Sequence, residues 1–133
     1  MSDPGQRADV ELRLPADGAY VSVLRTTTAG LAARLDFTMD DIEDLRIAVG
    51  EASAMVLPEA DEASDLLCQF YMRPGELTVT VGVSSSQAAV EPDYDSFAWQ
   101  VLTTLATSAE AEAGSGRFTV SLTMESGHLG AEL

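Results

Sequence analysis

The sequence predicts an α+β fold, a two-layer sandwich in which three helices cover one face of a single sheet. Four short runs alternate apolar and polar residues with the period of a half-buried strand, and three longer stretches repeat apolar residues at helical spacing. Their order is β-α-α-β-β-α-β, with no internal repeat and no linker. At 133 residues and 46% hydrophobic content, the chain can build one core without disulfide or metal staples.

Residues 1–8 are polar, contain Pro4 and Gly5, and read as a loose leader. In the first strand Val10, Leu12 and Leu14 alternate with Glu11 and Arg13, and Pro15 closes it. From Ala19 to Leu35 the spacing predicts a helix with an apolar stripe of Tyr20, Val23, Leu24, Leu31 and Leu35, weakened at Thr26–Thr28 and Gly30. Thr38-Met-Asp-Asp41 is a capping-box pattern that opens a second helix. Its stripe is Ile42, Leu45, Val49, Ala52 and Val56, and Pro58 ends it. The acidic stretch Glu59–Asp65 is a turn. Leu66–Arg73 and Leu77–Val83 are strands joined by Pro74-Gly75-Glu76, a hairpin signal.

Ser84–Asp93 reads as a loop. Phe97–Ala106 predicts a third helix with Phe97, Val101, Leu102 and Leu105 on its buried face, and Asp95 is suited to cap it. Gly114-Ser-Gly116 turns into a last strand, Phe118–Met124. The expected domain is 9–125, with 126–133 a loose tail.

Charge and missing residue types exclude much. Seven basic against 22 acidic residues give a formal charge of −15, which repels nucleic-acid phosphates and anionic lipid and attracts a basic protein partner. All seven basic residues are arginine, so no Schiff-base or phosphate-loop lysine exists. Asparagine is absent as well. No apolar run approaches the roughly 18 residues that span a bilayer, and Met1–Val10 lacks the apolar core of a signal sequence. The expected compartment is the cytoplasm. Cys68, alone, gives no disulfide and no ligand spacing, so no metal site is expected; a buried structural thiol is the simpler reading. His128 has no nucleophile in register, and Trp99 and Tyr94 suit either core or an anchor for a partner. No HEXXH, CxxC or Gly-x-Ser-x-Gly motif is present.

The stretch from Leu35 to Met55, with Ala48-Val-Gly-Glu-Ala-Ser-Ala-Met55 at its end, resembles the first half of the bacterial anti-sigma factor serine kinases, RsbW-like proteins of the GHKL ATPase fold. The likeness begins at Val10–Leu14 and resumes in Phe97–Leu105 and Gly116-Arg-Phe-Thr-Val120. Element order and length match over about residues 9–125. The resemblance implies a protein that holds a sigma factor away from RNA polymerase and phosphorylates an anti-anti-sigma (STAS) partner with ATP. It places Arg25, on the first helix, in the partner surface, and it implies a homodimer through the sheet side. Asp40, Asp41 and Asp44 are acidic candidates beside that surface.

Against the family's nucleotide site the chain keeps one feature of four. Glu51 stands at the carboxylate that orients or deprotonates the attacking hydroxyl. Met55 stands where an asparagine would hold Mg²⁺, and a thioether is a poor ligand for a hard cation. Val83 takes the place of the adenine-binding aspartate, with Ser85 and Gln87 at the following glycines. Asp95 lies in Tyr94-Asp95-Ser96, where a glycine pair would cradle phosphates, and sets a negative charge there. ATP and magnesium are therefore expected to be lost as cofactors. The expectation is an anti-sigma factor that sequesters its target by direct binding. The alternative is an active serine kinase on an anti-anti-sigma protein, and a third is an adaptor for that protein alone.

Overall fold

The computed structural model describes residues 7–86 and 91–127, so the leader up to residue 6, Gln87, His128 and the rest of the tail lie outside the described residues. The elements are β1 (Val10–Pro15), α1 (Val21–Arg34), α2 (Met39–Val56), β2 (Asp65–Arg73), β3 (Glu76–Ser84), α3 (Phe97–Leu105), β4 (Ser108–Gly114) and β5 (Arg117–Glu125). The strands form one antiparallel sheet in the order β1-β2-β3-β5-β4. The helices lie on one face, with α2 in the middle against β3 and β5 and packed on both α1 and α3. Among the described residues no helix is long and apolar enough to cross a membrane.

The strand periodicity translates directly into one core. Leu66, Cys68 and Phe70 of β2, Leu77, Val79, Val81 and Val83 of β3, and Phe118, Val120, Leu122 and Met124 of β5 all turn toward the helices and are buried. From α2 the core receives Leu45, Val49, Ala52 and Val56. On the opposite face the β3–β5 pair is hydroxylated: Thr78 bonds Thr123 at 2.9 Å and Thr80 meets Ser121 at 3.3 Å.

Four local expectations are corrected. The sheet has a fifth strand, β4, whose Ala109, Ala111 and Ala113 face the core while Glu110 and Glu112 are exposed. Alanine favours helices and carries little apolar surface, so this alternation is faint until pairing with β5 decides it. The buried face of α1 is Val21, Leu24, Thr28 and Ala32, leaving Tyr20 and Val23 40% and 41% exposed. Small Thr28 and Ala32 let α1 approach α2, and the Thr28 hydroxyl donates to Leu24 O. Phe97 is 77% exposed at the first turn of α3, while Leu102 is fully buried. The cap of α3 is Ser96, whose Oγ accepts from Trp99 N, and not Asp95.

Turn chemistry sets the connections. Helix α1 ends with Asp36 in the left-handed region, Asp36 N–H donating to Ala33 O and Phe37 N–H to Ala32 O, the Schellman pattern with an aspartate in the usual glycine place. Ser115 and Gly116, both at positive φ, make the two-residue turn between β4 and β5. After β5, Ser126 N–H donates to Gly75 O and Gly127 N–H to Asp41 Oδ2.

Candidate functional site

Two depressions flank α2, and the residues singled out in the sequence divide between them. On the α1 side, Arg25 and Glu51 line one wall with Glu43, Arg46 and Ile47. Arg25 is half-buried because its side chain lies flat on α2 over Gly50; a Cβ at Gly50 would stand 2.5 Å from Nη2. Glycine in a helix interior costs stability relative to alanine, and here it leaves the space the guanidinium fills. Glu43 faces Arg46 at 3.8 Å. Val23 and Ile47 add exposed apolar surface, 41% and 40%, to these two helices.

The three acidic candidates at the start of α2 do not form one exposed set. Asp40 is exposed and Asp44 partly buried, whereas Asp41 is only 5% exposed. Its N–H donates to the Thr38 cap at 3.1 Å and its Oδ2 accepts Gly127 N–H at 2.7 Å. Asp41 is thus turned inward to hold Gly127. Its backbone, at least, follows the capping box: Thr38 is the cap, and the carboxylates suit the helix N-terminus.

On the other side of α2, Met55 lines a groove of about 230 Å³ closed by the N-terminal turn of α3. Ala54, Ala98 and Phe118 give its lining an apolar part, and Glu59, Glu91 and Asp93 an acidic one. Val83 is fully buried on the core face of β3, opposite Phe118. Ser85 is buried too, its N–H donating to Gly116 O. Asp95 is exposed; its N–H donates to Asp93 Oδ1 at 3.0 Å.

No family model matches the chain. The serine-protein kinase RsbW of Halalkalibacterium halodurans is 38% identical over 77 residues, which is 57% of this chain and 48% of that protein. The serine-protein kinase RsbW of Bacillus velezensis is 36% identical over 81 residues, 61% of this chain and 46% of its own. The crystal structure of the RsbU and RsbW domains of a Mycobacterium tuberculosis protein matches 88% of this chain and 31% of that one, with a TM-score of 0.69 at 15% identity. Over these stretches the chain is similar to RsbW. The structural match establishes the shared fold, an α+β sandwich of the GHKL type. This RsbW-like chain spans about half the length of the curated relatives it matches.

A magnesium nucleotide is what that fold family implies, and the residues present do not suit one. The Met55 sulfur is a soft, neutral donor facing a hard cation. Val83, sealed in the core, offers no acceptor to a base. Glu59, Glu91 and Asp93 put negative charge where phosphates would need cations or bare N–H groups, and the N–H of Trp99 is already taken by Ser96. Among the described residues no three His, Cys, Asp or Glu side chains are grouped to hold a metal ion.

Sequence reasoning missed Gly50 as the seat of Arg25 and the acidic groove beside Met55. A glycine inside Ala48-Val-Gly-Glu-Ala52, surrounded by good helix formers, was the available signal for the first. The second joins residues from four separate segments and has no local signature.

Proposed function

We infer that the chain is an anti-sigma factor that represses transcription by stoichiometric binding of a sigma factor, without ATP and without phosphoryl transfer. The observation that carries this reading is the chemistry at the nucleotide positions: Met55 in an acid-ringed groove and Val83 inside the core. The binding surface is the α1–α2 face, where Arg25 sits on Gly50 beside exposed Val23 and Ile47, with Asp40 and Asp44 at its acidic border. An arginine with exposed apolar neighbours is the composition that carries binding energy at protein interfaces. The charge of −15 favours encounter with the basic surfaces of a DNA-binding partner. The reading includes a cytoplasmic location, release by an anti-anti-sigma (STAS) protein, and a homodimer through the hydroxylated sheet face.

Co-purification from the native host, with identification of the bound protein, tests it. Recovery of a sigma factor in equimolar amount, lost with Arg25→Glu, supports the reading. Recovery of a STAS protein alone contradicts it.

Glu51 and the serine-protein kinase relatives favour a second reading, an active kinase on an anti-anti-sigma protein. Transfer of labelled phosphate from ATP to that partner, abolished in Glu51→Gln, would establish the second reading and remove the first.

A further inference from the structure

We propose that the groove between α2 and α3 docks an arginine- or lysine-bearing segment of a protein partner. The inference rests on the reading that this site no longer takes a nucleotide. Its lining combines apolar Met55, Ala98 and Phe118 with the acidic residues Glu59, Glu91 and Asp93. A long basic side chain matches both parts, since its methylene stem buries against apolar surface while its head stays among carboxylates. Among the described residues, none of these three carboxylates forms an ion pair, whereas Asp65 and Glu43 pair with Arg13 and Arg46.

Other occupants fit less well. Phosphate-bearing ligands are repelled by the same carboxylates. A volume of about 230 Å³ is below the usual range of roughly 300–1,000 Å³ for a small-molecule pocket and suits one inserted side chain. A free polyamine would leave the neighbouring aromatics unexplained. Phe97, between the lining residues Ser96 and Ala98, is 77% exposed, and Tyr94 is 50% exposed. Tyr94 is steadied edge-on against Trp99, ring centroids 5.1 Å apart. Exposed aromatics next to a pocket extend the contact surface to the size of a peptide segment.

The experiment is NMR of the full chain labelled at methionine methyl groups, the Met55 signal being assigned by its loss in Met55→Leu. The probe is a capped Leu-Arg-Leu-Phe peptide. A saturable shift of the Met55 methyl is expected, at least tenfold weaker in the triple variant Glu59→Gln, Glu91→Gln, Asp93→Asn, and absent with the Leu-Glu-Leu-Phe peptide. The variant's methyl spectrum away from Met55 reports whether it remains folded. Absence of a saturable shift, equal binding by the triple variant or the acidic peptide, or equal binding of spermidine overturns the proposal. A parallel titration with MgATP separates the two levels. A Met55 shift with MgATP overturns the loss of nucleotide binding itself, whereas silence with both ligands overturns the docking proposal alone.

Discussion

The guanidinium of Arg25 rests on the bare backbone of Gly50, so close that an added Cβ would lie 2.5 Å from Nη2 and 3.0 Å from Nε. The two residues act as one unit across the α1–α2 contact. The groups in the way are the far end of a flexible side chain, so Gly50→Ala moves Arg25 without disturbing the helix pair. Helix propensity then stabilises α2 by up to about 1 kcal/mol. Binding of the sigma partner should weaken in Gly50→Ala in the same direction as in Arg25→Ala. Paired urea unfolding and affinity measurements check this; loss of stability with unchanged affinity would detach Arg25 from the interface.

At the start of α2, Thr38 caps the helix and Asp41 ties it to the segment after β5. Thr38→Ala removes the cap and should cost about 1 kcal/mol. Asp41→Ala also strands Gly127 N–H and should cost about 1.5–3 kcal/mol, while Asp41→Asn keeps an acceptor and loses less. Chemical denaturation of the three variants orders them. Equal losses for Ala and Asn at position 41 would mean that the charge, and not the hydrogen bond, does the holding.

Burial of Cys68 on the core face of β2 pushes its thiol up from 9.0 to about 12 by desolvation. The folded state therefore keeps a proton that the unfolded chain releases earlier. That contribution to stability is fully present below pH 9 and is lost as pH rises from about 9 toward 12. Stability measured against pH should fall less steeply over this window in Cys68→Val than in the parent chain. At neutral pH, alkylation of Cys68 should proceed only at the rate of unfolding.

A charge of −15 should steer the encounter with the proposed basic partner electrostatically. Stopped-flow association with the sigma factor should slow markedly from low to high salt, with dissociation changing much less. A salt-independent association rate would assign the acidic surface to solubility alone.

The legible part of the fold was the part written in periodicity and turn chemistry. Alternation in β2, β3 and β5, the Thr38 cap and the Gly75 turn are local patterns, and each appears where the sequence predicts it. What escaped depends on neighbours remote in sequence. The Ala-Glu alternation of β4 becomes a strand only against β5, and Phe97 lies outward at the first turn of α3 while Leu102 is buried. The site divided in the same way. Residue identities at Glu51, Met55 and Val83 could be read directly, while the inward turn of Asp41 and the seat of Arg25 on Gly50 exist only in three dimensions.

The central claim is that this RsbW-like fold persists without its nucleotide, and calorimetric titration of MgATP into the full chain tests it most directly. The account predicts no heat beyond dilution and no shift in thermal unfolding at saturating MgATP. A saturable isotherm with a micromolar dissociation constant would contradict it.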